Sequence, residues 1–441
     1  MRRKPLFPPP HNPTTGKRLA NKGLQSHTIL TINGDIKIVR RWWHEPQLGS
    51  VAPADAILDR DGATVTPGVL EMACRVNLSA TSFVRAAAAL ERTAQVKLSG
   101  ERLRQVVEAA GRGVLKAQQA DAIAVTWHAE DCVAPPDETR DATCENAGKT
   151  RIYTGCDGVM VPIITDAEKI KRRDKVKVKR RLRGKKCKPL PPRKRGSDLS
   201  WKEFKVAFFY SEGGKHQHVA FTHGNHAVAG KLLRREADRL RFQKADERVG
   251  LVDGAVWIRE QMRLHFAELD ALGLDFFHLS ENVHRARRKV FGEESPEGRA
   301  WADELMHMFK HQSYATAWEK IIQWRAALHA KGKREAADRL LKFVSTRKEM
   351  IRYPEFRERG WQIGSGPTES QCKLCTKRLK GYGRRWDRPN ATAVAALDTL
   401  DRNGQWRQVW PNACPRHDLR PPRTLVTHLC LQPLAKEVKV L

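Results

Sequence analysis

Between residues 151 and 279, short apolar runs alternate with helical patterns, and this alternation limits the fold more than any other feature of the chain. RIYTGCDGVMVPI opens the series, followed by WKEFKVAFFY (201–210) and HVAFTHG (218–224). Asn225 is placed to cap a helix reaching about residue 243. ERVGLVDGAVWIREQMRLHF then reads as a strand, an acidic residue at its end, and a helix, and GLDFFHLSENVHRARRKVFG repeats the arrangement. Three strands, a helix, a strand and a helix predict an α/β class with a mixed sheet flanked by helices. From about 295 to 350 the apolar spacing is wholly helical. This all-α block separates the sheet from the segment GWQIGSGPTESQCKLCTKRLKGYGRRW (360–386).

The N-terminal part follows other periods. Residues 28–43, TILTINGDIKIVRRWW, alternate around Asn33-Gly34 and predict a β-hairpin. Residues 66–128 read as two helices joined by a short break, with Ser99 capping the second. If they form a helix-turn-helix, the second helix presents Arg102, Arg104 and Gln105 to a DNA groove; the alternative is a plain helical hairpin. The expected organisation is a basic arm and hairpin (1–65), a helix-turn-helix-like region (66–128), a polar linker with a Pro-Pro pair (129–150), the first part of the α/β core (151–294), the helical insertion (295–350), the last part of the core (351–410) and a Pro- and Arg-rich tail (411–441).

The 441 residues carry a formal net charge of +31 and a pI of about 10.1, far beyond what solubility needs. Such a surplus points to a polyanionic partner, most simply double-stranded DNA. No apolar run approaches the roughly 20 residues of a spanning helix, so no membrane partner is expected. Nine irregularly spaced cysteines do not suggest a disulfide framework, and an intracellular protein is expected. Residues 169–196 hold so many like charges that a mobile loop is expected, either gripping phosphates, with Lys179, Arg180, Arg181, Arg183, Lys185 and Lys186 as contacts, or solvated with no fixed ligand.

Two aspartates close apolar runs and precede glycine: Asp157 in CDG and Asp253 in VDG. A third acid, Glu369, stands in the first turn of a helix that GSGPTES would open with Pro367. Carboxylates of this kind suit Mg²⁺ or Mn²⁺. Three converging in a strongly basic protein would suit two-metal phosphoryl transfer, with Asp157, Asp253 and Glu369 as ligands and catalytic groups. Alone, each Asp-Gly is a weak signal, since the pair mostly marks turns. Lys373, Lys377 and Lys380 recur on about the same helical face as Glu369, as a DNA backbone contact would require; a solvated basic face has the same pattern.

These residues resemble a family. IGSGPTESQCKLCTKRLKGYGRRW is similar to the C-terminal catalytic signature of bacterial insertion-sequence transposases of the DDE class, in particular the Kra-type group related to Mutator-like elements. The match runs through Gly364, Ser365, Gly366, Glu369, Ser370, Lys373, Arg378, Leu379, Lys380, Gly381, Gly383 and Trp386. YTGCDGVMVP resembles the strand of the first aspartate and VDGAVWI that of the second, and Asp275 with His278 resembles a D-x-x-H motif found after it. The resemblance covers about residues 150–410. It implies an RNase H-like fold with a helical insertion before the last acid, and the 116 positions from Asp253 to Glu369 (369 − 253) leave room for one. It also implies metal-dependent cleavage at element ends and strand transfer into target DNA, in a bacterial, nucleoid-associated dimer or larger assembly. Asp275 and His278 would position the site. Arg285 and Arg288, the cations Lys373, Lys377, Arg378, Lys380, Arg384 and Arg385, and Trp386 would touch DNA; a solvated face for the arginines of the 285–288 stretch, and core packing for Trp386 as for Trp361, are the alternatives. A structure-selective nuclease or resolvase on the same fold, or a domesticated DNA-binding protein, are the alternatives. Zinc is not expected: VRRWWHEPQ lacks the cysteines some relatives carry there, Cys372 and Cys375 form a lone pair within a helix, and Cys414, His417, His428 and Cys430 fit no strong template.

Overall fold

The computed structural model describes residues 8–53, 64–135, 148–184, 189–381 and 383–411. The chain divides into two compact units, Met1–Ala110 with Arg407–Leu441, and Gly111–Trp406.

In the first unit, β1 (Ala20–Thr31) and β2 (Gly34–Glu45) form the expected hairpin, and β3 (Gly49–Val51) extends it. The turn lies one residue earlier than expected. Thr31 faces Gly34, so Ile32-Asn33 is the loop, and Gly34 takes the positive φ of 103° that a side chain would resist. Three helices follow in place of the expected two: α1 (Pro67–Ser79), α2 (Phe83–Ala94) and α3 (Gly100–Gln119). The extra one starts on Pro67, whose missing N–H costs nothing at a first helical turn. The Ser82 hydroxyl accepts from the Arg85 N–H at 3.1 Å, and that of Ser99 from the Arg102 N–H at 3.1 Å, which fixes the starts of α2 and α3.

The second unit is built on a five-stranded mixed sheet ordered β6-β5-β4-β7-β8. β4 (Arg151–Pro162), β5 (Trp201–Ser211) and β6 (Gln217–Thr222) are antiparallel; β7 (Glu247–Val252) and β8 (Ala271–Leu274) run parallel to β4. Tyr153, Phe208 and Tyr210 stack across β4 and β5, with centroids 5.2 and 4.9 Å apart. Each such buried ring contributes about 1.5–3 kcal/mol of apolar transfer. β4 departs from expectation, because it does not end at Asp157-Gly158. Asp157 faces Val206 and Gly158 faces Lys205 within one continuous ladder. The pairing with β7 nevertheless stops at Thr154, so Asp157 lies beyond the parallel half of the sheet.

The basic segment after β4 is a second correction. Instead of a loop it begins as α4 (Asp166–Leu182). Thr165 and Glu168 form a reciprocal capping box, and Lys and Arg are good helix formers with long side chains that keep their charges in water. Lys185 and Lys186 lie outside the described residues.

The helices after β6, β7 and β8 and those of the insertion follow the sequence reading. Asn225 caps α5 (His226–Arg239) through the Val228 N–H at 3.0 Å, and α6 (Val256–His265) and α7 (Phe276–Phe291) follow β7 and β8. The insertion consists of α8 (Pro296–His311), α9 (Tyr314–Ala326) and α10 (Lys331–Ser345). α11 (Tyr353–Glu358), α12 (Gly366–Lys377) and α13 (Arg388–Arg402) complete the unit, and α13 is buried from Ala391 to Leu400. The start of the expected linker packs on the core: Ala129 and Cys132 are buried, as is Trp127 just before it, and the Ala129 N–H reaches the Leu240 carbonyl at 2.8 Å. Among the described residues no helix is long and apolar enough to cross a membrane.

Candidate active site

Asp157 owes its setting to two small neighbours. Gly155, two residues earlier, lies on the same face of β4. A Cβ there would come within 2.1 Å of the Thr368 hydroxyl, so only glycine lets α12 close on the strand. One turn beyond Thr368, the buried Cys372 side chain bonds the Asp157 carboxylate. Burial pushes the pKa of Asp157 up and the charge of Asp253 adds to the effect, against the Gly158 N–H, the charge of His278 and Cys372.

Asp253 follows the last residue of β7 and accepts from the Ala255 N–H at 2.8 Å. Between them Gly254 sits at φ +76°, and a Cβ on it would lie 2.6 Å from Arg347 and 2.7 Å from Leu274. Arg347 donates to the Gly254 carbonyl from Nε (3.2 Å) and Nη2 (2.9 Å). The helical insertion thus ends by handing an arginine to the Asp253 turn. Sequence reasoning misses this residue, since nothing distinguishes RKE after a helix from any solvated helix end.

Asp275 and His278 come from the start of α7. Asp275 is fully buried and accepts three bonds: from the Ser365 N–H (2.6 Å), the His278 N–H (3.0 Å) and His278 Nδ1 (2.7 Å). Burial opposes its charge, but the bonds from His278 and Ser365 outweigh it and hold the carboxyl below its usual range. The bond to Asp275 in turn lifts His278 to about 9, against desolvation, with Asp253 also favouring the cation. At neutral pH this site holds an imidazolium. Its Nδ1 stands 3.8 Å from Glu369 Oε1. Glu369 is in the first turn of α12, with Pro367 at the helix start as expected.

The tightest group of ligand atoms differs from the expected trio. Among the described residues, the set whose atoms all lie within 4.8 Å of one another is Asp275, His278 and Glu369; Asp157 and Asp253 border it through their charges on each other and on His278. Both oxygens of Asp275 accept bonds from within the protein, Oδ1 from the Ser365 N–H and Oδ2 from His278. Lys205, buried and 2.7 Å from Glu203, also adjoins β4: a Cβ on Gly158 would strike that glutamate.

The expected DNA contacts fall into three groups. Lys373, Lys377, Lys380, Arg285, Arg288 and Arg385 are exposed, although α12 ends at Lys377 and leaves Lys380 beyond its face. Lys179, Arg181 and Arg183 are exposed and Arg180 is half-buried; Lys179, Arg180 and Arg181 lie within α4 and Arg183 at its end. The rest are engaged within the protein. Arg378 and Trp386 are buried against each other at 5.3 Å, and the Trp386 indole donates to the Leu379 carbonyl, so both pack in the core and the expected DNA contacts of these two residues are corrected. Trp361 is likewise buried. Arg384 donates to the carbonyls of Lys377 and Arg378. In α3, Arg104 pairs with Glu101 (2.5 Å) and Glu108 (2.7 Å), Arg102 bonds Thr64 (2.6 Å) and Gln105 bonds Glu101 (3.1 Å). Cys414, His417, His428 and Cys430 lie outside the described residues.

No protein-family model and no curated protein matches the chain. Among solved structures the chain is similar to the Drosophila P element transposase strand transfer complex, with a TM-score of 0.27 and 11% identity over 81% of this chain and 84% of that one. A likeness this distant leaves fold and function to be argued from the residues.

Proposed function

We propose that this chain is a DNA transposase of the DDE class, in which Asp157, Asp253 and Glu369 form the catalytic centre for strand cleavage and strand transfer. The observation that carries the reading is Glu369, in the first turn of α12, 3.8 Å from the His278 ring that Asp275 fixes, with Asp157 on β4 and Asp253 at the end of β7 near enough to act on that ring by charge, in a strongly basic protein. The five-stranded mixed sheet is compatible with an RNase H-like core, and the helical insertion lies between Asp253 and Glu369.

The donor set fits a hard divalent cation. Burial raises the pKa of Asp157 and the charge of Asp253 adds to it, and a cation between the carboxylates would relieve both. Asp157, Asp253 and Glu369 would hold Mg²⁺ or Mn²⁺, which when bound supplies activation of the attacking oxygen and charge balance at the leaving one. The protein's own groups prepare that site. Asp275 fixes the His278 ring, and His278 keeps a positive charge beside Glu369. Arg347 clamps the turn that presents Asp253, and exposed Lys373 and Lys377 on α12 offer charge to phosphates. Synapsis of two element ends would take at least a dimer.

The test combines purified protein with labelled element-end duplex and target DNA, in Mg²⁺, Mn²⁺ or EDTA, beside Glu369→Gln. Joined products from wild type alone, abolished by EDTA and by the variant, support the reading. Cutting without joining would favour a structure-selective nuclease. Binding insensitive to metal and to Glu369 would contradict catalysis.

A further inference from the structure

α4 is a 17-residue helix with no buried residue, and it carries nine cations (Lys169, Lys171, Arg172, Arg173, Lys175, Lys177, Lys179, Arg180, Arg181) against three acids. At about 1.5 Å per residue it is about 26 Å long. A helix that buries nothing gains little from tertiary packing, so its retention in a fixed pose needs another reason.

Its base is fastened firmly. The Asp166 N–H bonds the Ser197 carbonyl (2.9 Å), and the Ser197 N–H bonds that of Ile164 (2.9 Å). Glycine is required at 196, where a Cβ would fall 2.4 Å from the Asp166 nitrogen. Lys169 pairs with Asp387 (2.5 Å), Arg385 with Glu168 (3.0 Å), and Arg173 reaches the Pro191 carbonyl (2.7 Å). Ile164 and Pro162 exchange backbone bonds with Trp386 (2.8 and 3.1 Å). The first two turns are therefore tied to the stretch that follows the Glu369 helix, at the end of the strand that carries Asp157. Lys171, Lys175, Lys179 and Arg181 find no acidic partner among the described residues.

We infer that α4 is a rigid arm that grips the phosphate backbone of duplex DNA beside the candidate active site. The inference rests on the reading that the chain acts on DNA. Charge complementarity selects the occupant: the net charge of α4 is +6, and its cations are distributed around the whole axis. A lipid surface would ask for one clean apolar face. Here Lys171, Asp174 and Arg181 interrupt Ile170, Val178 and Leu182, and Val176 points the other way.

The experiment measures binding of the full chain to a fluorescent duplex by anisotropy across a salt series, for wild type, for Lys171→Gln/Lys175→Gln/Lys179→Gln/Arg181→Gln, and for the corresponding Arg variant of the three lysines. Glutamine keeps helix propensity and removes charge, and circular dichroism checks that the helix persists. Each phosphate-binding cation removed should lower the slope of log K against log salt by about 0.9, and affinity at about 0.1 M salt should fall at least about tenfold, with the Arg variant unchanged. An unchanged slope in the Gln variant would overturn the arm, as would loss of binding to phosphatidylserine vesicles with DNA binding intact. The two claims separate cleanly. A slope change in a protein that never cleaves DNA upholds the arm and sinks the catalytic reading, and cleavage with an unchanged slope does the reverse.

Discussion

At Asp157 stability and function pull apart. Its folded pKa is raised by burial, so the protonated form is favoured on folding: that contribution is complete below the unfolded carboxylate range and is lost as pH rises through the folded value. At neutral pH the charged group therefore costs stability, and Asp157→Asn should raise the Tm of metal-free protein while abolishing cleavage; a lower Tm would show that the carboxylate is not strained. His278 behaves as a base whose folded pKa, about 9, exceeds its unfolded value near 6.5. Its contribution is complete below about pH 6.5 and fades through pH 9. Urea melts should show His278→Gln less stable than wild type at pH 6, with the gap closing by pH 10. Gly254→Ala combines a left-handed backbone with contacts on Arg347 and Leu274, and should cost about 1–3 kcal/mol in the same assay.

Among the elements, α4 shows where sequence reasoning stops. The charge run of 169–196 is legible, but like charges by themselves argue against order. What decides the matter is local: a capping box at Thr165 and Glu168 and tethers to Asp387 and Arg385, partners about 220 residues away that no period reveals. Removing the cap with Thr165→Ala should cost about 0.5–2 kcal/mol of helix stability and expose α4 to faster amide exchange. β4 shows the opposite. Asp-Gly signals a strand end, yet Gly155 and Gly158 serve close approach, to Thr368 and Glu203, within an unbroken ladder. Alternation and caps, by contrast, reveal the existence of the hairpin and of the sheet strands, and the starts of α3, α5 and α12, because those signals lie within a few residues of what they predict.

Over the whole molecule, the mixed sheet and helical insertion are readable from periodicity, Asp157, Asp253 and Glu369 stand out by local patterns, and Asp275 and His278 only by the resemblance. Their grouping is less so: the structure puts His278 and Asp275 nearest Glu369, with Arg347 holding the Asp253 turn. The large positive charge acts at long range, so DNA binding should weaken steeply with salt whatever the state of the acids. The central claim is that Asp157, Asp253 and Glu369 together form one divalent-cation centre. Mn²⁺ binding followed by electron paramagnetic resonance, on wild type and on Asp157→Asn, Asp253→Asn and Glu369→Gln, tests it most directly. Wild type should bind Mn²⁺, and each single substitution should weaken that binding severalfold or more. Equal binding by all four proteins, or by none, would contradict it.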